Sequence, residues 1–332
     1  MSKRKTAFRI ISFFVVAIIT VFGLTIGVNG IGEKDLSSDS QAYKGILNLW
    51  HVDTFEGGTW SRKQFILSVA RQFESQNPGV LVSVKQHTID SINSELEKGL
   101  PDLISFGTGI NISGMSGLFL KGNDACTLNG KTYAVPYLMS GYYIFSKTEI
   151  GDKTCFDKIT VSDSELTSPL TAFYASGYTA NKITVKSPVN AFYDFCLGDS
   201  EVLVGTMRDA NRIIANNLSV SVVPLNSYND LYQYVSVTAT SQIKKAYADK
   251  FVNLLISNGV QEKVSKLSIL SPYVSLYTDG LLKECEKIST TLTISAFTPT
   301  SVYKQMKNAV IDGKSDAVKE LKDKNLFINL IK

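Results

Sequence analysis

Two tryptophans, Trp50 and Trp60, stand at the ends of one short loop, His51 to Thr59, and the chain has no others. A tryptophan offers a wide apolar face. The C–H side of a sugar ring stacks on such a face while polar neighbours read its hydroxyls. Trp60 opens a helix-forming stretch and is the leading ligand contact. Trp50 closes an apolar strand, where a last residue either meets the ligand or packs inward. Gly57-Gly58 turn backbone N–H groups outward just ahead of that helix, and a helix N-terminus favours anions, so the pair reads as an anion seat or as a flexible loop. Thr108, just past another strand, can donate to a ligand. Tyr137, Tyr142 and Tyr143 flank a Met-Ser-Gly turn between two strands, and alternation lets at most one of Tyr142 and Tyr143 face a ligand. Arg208 and Asp209 begin a helix. Arg208 suits a hydroxyl or carboxylate. Asp209 suits a helix start and Arg212 lies four residues beyond Arg208, so the group reads equally as a cap with an ion pair. The ligand-binding set is therefore Trp60, Trp50, Thr108, Tyr137, Tyr142, Arg208 and Asp209, with no catalytic residue, cofactor or metal ligand.

Reactive chemistry finds little support. There are only two histidines, and His51-Val52-Asp53 supplies two ligands where a metal site needs more. The sequence holds no phosphate-binding P-loop, dinucleotide glycine fingerprint or Gly-x-Ser-x-Gly elbow. Ser241 to Lys244 and Ser301 to Lys304 fit Ser-x-x-Lys without its partner motifs. Four cysteines stand at 126, 155, 196 and 285. None makes a Cys-x-x-Cys pair, and Cys126 with Cys155 either closes a loop or stays as buried thiols. The expectation is a binding protein rather than an enzyme.

The elements that must position these residues follow from periodicity. Apolar runs over Ile46 to Trp50, Val80 to Val84 and Asp102 to Phe106 read as strands. Between them, Thr59 to Glu74 and Ser91 to Lys98 carry helical spacing, the first with Phe65, Ile66, Val69, Ala70 and Phe73 on one face. Asn77-Pro78-Gly79 stops that helix. This alternation predicts a parallel α/β sheet. Strands follow over Tyr133 to Tyr137 and Tyr142 to Ser146. The Ser/Thr-rich residues 150 to 185 show no clear period. A second unit runs through a helix at Pro188 to Cys196, a strand at Glu201 to Gly205, a helix at Arg208 to Asn216 and a strand at Ser219 to Val223. Helices close the chain at Ser241 to Ile256, Val260 to Leu267, 301 to 313 and 315 to 331.

Four of the 34 basic residues, Lys3, Arg4, Lys5 and Arg9, precede an uncharged apolar run from Ile10 to Val28; the other 30 balance 30 acidic residues. At helical rise that run spans roughly 28 Å, close to the hydrocarbon thickness of a bilayer. A basic patch before such a run marks an export signal or a retained anchor, with Gly30 onward outside the membrane. The near-neutral remainder argues against nucleic acid, which calls for clustered cations.

Several segments resemble the sugar-type extracellular solute-binding proteins of ABC importers. They are I-L-N-L-W-H with W-S-R-K-Q-F-I-L-S-V-A-R-Q-F-E-S-Q-N-P-G-V, L-P-D-L-I-S-F-G, G-K-T-Y-A-V-P-Y, V-L-V-G-T-M-R-D-A-N-R-I and A-Y-A-D-K-F-V-N-L-L-I-S-N-G-V-Q-E-K-V, in the family's order over about residues 45 to 273. The resemblance implies an α/β, two-lobed, hinged periplasmic-binding-protein-like fold, here preceded by an N-terminal transmembrane or signal helix. It implies a signal or anchor over 1–30, a linker over 31–44, a first lobe over 45–136, a shortened second lobe over 137–226, and completion of the first lobe over 227–332. It further implies capture of a small polar solute, a sugar or oligosaccharide, at the outer face of the cell membrane or in secreted form, and delivery to an ABC transporter's membrane subunits. The chain departs from the family in its short region between Gly109 and Tyr133 and in lacking a lipid-attachment cysteine. The shortened lobe and the anchor fit a second expectation, a degenerate binding fold that senses or docks a partner.

Overall fold

The computed structural model describes residues 43–55, 60–110, 112, 114–118 and 122–330. The expected signal or anchor helix, most of the linker and Gly57-Gly58 lie outside the described residues. Tyr43–Lys332 forms one compact unit, and among the described residues no helix is long and apolar enough to cross a membrane.

The first half follows the hydrophobic pattern closely. Strand β1 (Gly45–Val52) buries Leu47 and Leu49 on one face. Helix α1 (Arg62–Gln76) starts at Ser61, whose side chain accepts from the Gln64 amide, and lays Phe65, Ile66, Val69, Ala70 and Phe73 on that face. Each of the larger of these, Phe65, Ile66, Val69 and Phe73, contributes roughly 1.5–3 kcal/mol. Strand β2 (Val80–His87) follows. Helix α2 (Ile89–Lys98) opens with a Thr88–Ser91 capping box, which satisfies two amides that would otherwise lack partners. Strand β3 (Leu103–Gly107) is buried throughout. A small hairpin of β4 (Thr127–Leu128) and β5 (Lys131–Thr132) leads into β6 (Val135–Met139).

After two residues the chain enters β7 (Tyr142–Ser146), the first strand of a second sheet. The stretch without a clear period resolves into β8 (Cys155–Ser162), α3 (Pro169–Ala175) and β9 (Thr179–Lys186). Helix α4 (Pro188–Leu197) carries proline in its first turn and ends at Gly198 in the left-handed region, φ 87, where only glycine is free of strain. Strand β10 (Val202–Thr206), helix α5 (Met207–Ala215) and strand β11 (Ser221–Pro224) complete this half.

Strand β12 (Tyr232–Val237), absent from the sequence reading, is wholly buried and returns to the first sheet. Helix α6 (Gln242–Leu255), helix α7 (Asn258–Gln261) and a 3-10 turn at Glu262–Leu267 pack beneath it. Helix α8 (Gly280–Glu286) packs on α5 and β11 of the second sheet. Short β13 (Leu292–Thr293) precedes helix α9 (Thr300–Asp323) and β14 (Ile328–Asn329). The two expected terminal helices meet at Lys314, whose φ of 57 breaks α9, and the second ends at Asp323 rather than at 331.

Two five-stranded sheets result, ordered β2-β1-β3-β12-β6 and β11-β7-β10-β8-β9. In the first, β1 runs parallel to β2 and β3, while β12 is antiparallel to β3 and β6. One apolar cluster fills the α1 side of the first sheet and another the α4–α5 side of the second. A third is shared: Ile104 and Phe106 of β3 belong to the same buried cluster as Tyr142 and Ile144 of β7, Phe173 of α3 and Met306 of α9.

All four cysteines are free thiols; Cys126 and Cys285 are buried and Cys155 is exposed. The loop-closing alternative for Cys126 and Cys155 is thus not realised. Burial pushes the Cys126 and Cys285 thiols above the usual range, and a thiol kept protonated is a poor nucleophile. Alkylation of the native protein followed by peptide mapping is expected to mark Cys155 first and to reach Cys126 and Cys285 only after unfolding.

Candidate functional site

A cavity of about 750 Å³ opens between the two sheets. One wall comes from the end of β1 and the start of α1, through Asp53, Thr54, Phe55, Trp60, Ser61 and Arg62, with Ile89 of α2. The facing wall comes from Ser164, Glu165 and Leu166 beyond β8, and from Arg208, Asn211, Arg212 and Ala215 of α5. The α5 residues recur at helical spacing on one side, while Met207, Ala210 and Ile213 enter the core. Open α/β sheets leave their crevice at strand ends, as here beyond β1.

Local chemistry fixes both walls. Arg62 is 5% exposed; its Nε lies 3.1 Å from Asp53 Oδ1 and its guanidinium 4.4 Å above the Phe55 ring. Trp60 is 41% exposed, so its indole is available to a ligand. On the far wall, Thr206 and Asp209 form the capping box of α5. Arg208 Nη2 donates to Ser162 Oγ at 2.8 Å, and Asp209 lies 3.6 Å from both Arg208 and Arg212. Burial pushes the Asp209 carboxyl up, against the opposing pull of Arg208 and of the Thr206 amide. A Cβ on Gly205 would run into the Asp209 carboxylate. Gly205→Ala is therefore expected to cost about 1–2 kcal/mol, as the loss of a cap does, measured by urea denaturation.

Asp53 sits at the head of a buried hydrogen-bonded set. His51 Nε2 is 2.9 Å from Asp53 Oδ1, and His51 Nδ1 is 2.9 Å from Ser105 Oγ. Ser105 Oγ also meets the Tyr137 hydroxyl at 2.7 Å and the Gln233 amide at 2.9 Å. Ser, His and Asp thus stand in line, yet Ser105 is 1% exposed and already surrounded by three partners. It cannot reach a substrate as a nucleophile. Burial works to raise the Asp53 carboxyl, but the His51 hydrogen bond and the Arg62 charge outweigh it and hold it below the usual carboxylate range. The stability this gives is present above the ordinary carboxylate titration and is lost as pH falls through the lowered value. Unfolding followed against pH is expected to show this acid-side loss in the native protein and to show less of it in Asp53→Asn.

Between the sheets a second polar set is closed from solvent. The Asp230 carboxylate, 3% exposed overall, accepts from Tyr142 at 2.6 Å, Tyr228 at 2.9 Å, Tyr303 at 2.7 Å and Ser168 at 2.6 Å. The Thr108 hydroxyl donates to the Asp230 carbonyl at 3.2 Å. Burial, then the nearby carboxylate, push all three tyrosine hydroxyls well above their usual range.

Of the residues the sequence nominates, Trp60 and Arg208 face each other across the cavity. The others lie elsewhere. Tyr137 and Tyr142 are fully buried and spend their hydroxyls on Ser105 and Asp230. Tyr143 is buried as well and donates to the Cys285 carbonyl at 3.1 Å. Thr108 serves Asp230, and Asp209 caps α5. Trp50 is half-buried against His87, ring centroids 4.7 Å apart. Sequence reasoning did not nominate Asp53, Arg62, Glu165 or Asn211 for the cavity. Asp53 lies within the loop that the tryptophans mark and Arg62 just beyond it, and Asn211 falls one turn from Arg208; Glu165 carries no local signal.

The fold is the two-lobed α/β fold also seen in periplasmic and other solute-binding proteins. No protein-family model matches the chain, and no curated protein matches it. Among solved structures, the GacH receptor of Streptomyces glaucescens, known with acarbose, is similar with a TM-score of 0.54 at 16% identity, over 86% of this chain and 99% of that one. The maltodextrin binding protein MalE1 from L. casei gives 0.58 at 11% identity, over 85% and 98%. Iron-bound HitA from Pseudomonas aeruginosa gives 0.51 at 11% identity, over 80% and 99%. Likeness at these identities shows the fold alone, and proteins sharing it carry different ligands. Among the described residues no group of three or more His, Cys, Asp or Glu is placed to hold a metal ion.

Proposed function

We propose that the chain captures a small polar solute, a sugar or oligosaccharide, in the cavity between its lobes and delivers it to the membrane subunits of an ABC importer. The work is done outside the cytoplasmic membrane, with the apolar segment Ile10 to Val28 as anchor or export signal. One observation carries this reading: a half-exposed indole, Trp60, and two arginines, Arg208 and Arg212, face each other from different lobes across one cavity. An aromatic face with carboxylate, amide and guanidinium neighbours suits a hydroxyl-rich ring. Because the walls belong to different lobes, a ligand touching both favours their approach. The binding role for Trp60 and Arg208 is part of the proposal, as is the division into lobes at 45–136, 137–226 and 227–332.

The test is a thermal-shift screen of residues 43–332 against sugars, oligosaccharides, amino acids and phosphoesters. Ligand at a hundred times its dissociation constant adds about 2.7 kcal/mol, enough to move the midpoint by a few degrees. A shift with one class supports capture and names its chemistry. Silence across the panel favours the docking or sensing role.

A further inference from the structure

The buried polar row beneath the cleft carries a definite arrangement of hydrogens. It occupies one end of a sheet face that is otherwise Leu47, Leu49, Leu103, Val135, Val235 and Val237. His51 and Ser105 are register partners on β1 and β3. Burying such groups is costly unless every donor and acceptor is matched.

Gln233 comes first. Its Nε2 donates to the Val52 carbonyl at 2.8 Å and to Ser105 Oγ at 2.9 Å, and its Oε1 accepts from Arg62 at 3.2 Å. A carbonyl only accepts and a guanidinium only donates, so the amide has one orientation. Asp53, beside Arg62 and Gln86, is a carboxylate and only accepts. His51 Nε2 must therefore carry the hydrogen that it gives to Asp53. In the neutral ring, Nδ1 is then the acceptor, and Ser105 donates to it. The two lone pairs of Ser105 Oγ are left for Gln233 Nε2 and for the Tyr137 hydroxyl, which donates. The chain runs in one direction, Tyr137 to Ser105 to His51 to Asp53, with no buried atom of it left over.

At the cleft end the count is equally tight. Asp53 Oδ1 receives His51 at 2.9 Å and Arg62 at 3.1 Å. Oδ2 receives Gln86 at 3.1 Å. A carboxylate has about four lone-pair sites; among the described residues these three are the partners it has, and the remaining site lies on Oδ2 of a residue that is partly exposed in the cavity wall. We infer that His51, as the Nε2–H tautomer, is the positioning residue that holds Asp53 as an acceptor-only contact, so that the solute group meeting Oδ2 must bring its own hydrogen. A hydroxyl or an ammonium fits there and a carboxylate is repelled. This rests on the cleft being the binding site, but the proton arrangement does not, and it is read without any ligand.

The experiment uses residues 43–332, uniformly labelled with nitrogen-15 and with carbon-13 at the aspartate carboxyls. Long-range proton–nitrogen spectra report the tautomer, and with two histidines in the chain the signals are assigned by comparison with His87→Gln. The expected pattern for His51 is a protonated Nε2 and a bare Nδ1. The Asp53 carboxyl is expected to titrate below the usual carboxylate range and to shift upward in His51→Phe. A His51 ring found as the Nδ1–H tautomer overturns the inference in the unmodified protein, whether or not the variant folds. An Asp53 midpoint unmoved in a folded His51→Phe overturns it as well.

Discussion

Asp230→Ala is expected to destabilise the protein by about 3–5 kcal/mol, since each buried donor that loses its acceptor costs about 1–3 kcal/mol and part of that cost is relieved by relaxation. Three tyrosine hydroxyls and Ser168 converge on this carboxylate from β7, the segment between β11 and β12, α9 and the start of α3. Removing it leaves four buried hydroxyl donors without their acceptor, with the Ser168–Tyr303 contact at 3.0 Å and the Ser168 amide's bond to the Tyr142 hydroxyl at 2.7 Å still in place. Asp230→Asn should cost less, since one acceptor oxygen survives while the new amide faces hydroxyls that were all donating. Urea denaturation resolves the order. If Asp230→Ala unfolds at the same urea concentration as the unmodified protein, the network contributes nothing net.

Trp60→Ala carries the largest expected effect on binding. An aromatic anchor in a recognition site is worth about 2 kcal/mol or more, a loss of roughly thirtyfold in affinity. Trp60 is 41% exposed, so stability should change little, and the two quantities separate cleanly in one calorimetric series. Equal affinity in the variant, for a solute that the screen identifies, would move the binding site away from this cavity.

The two changes also show where sequence is informative and where it is not. That Trp60 lines the cavity could be anticipated because its neighbourhood is local: a tryptophan at the start of a strongly patterned helix, just after an apolar strand, sits near a strand end. Asp230 was illegible because its meaning lies in residues 73 and 88 positions away, Tyr303 and Tyr142. The tyrosines misled for the same reason. Tyr137 and Tyr142 present in sequence as aromatic faces, yet each is used for its hydroxyl inside the protein. Strands β1, β2 and β3 were readable from their apolar runs. Strands β8 and β9 were not: β9, at the sheet edge, has no buried residue, so no alternation marks it. Strand β12 fails oppositely, being buried at every position, and is defined only by its partners.

That strand has a consequence in time. β12 lies between β3 and β6 in the first sheet, yet its residues 232–237 come far behind both Leu103–Gly107 and Val135–Met139 in the chain. A polypeptide emerging N-terminus first presents β1, β2, β3 and β6 long before the strand that joins them is made. Until then β3 and β6 keep open edges, which invite pairing with other chains. The second sheet draws all its strands from residues 142–224, so it can assemble while the first waits. Folding is thus set by the arrival of one late segment, and such non-local pairing is intrinsically slow. A protein built this way benefits from being kept unfolded until its last third is available.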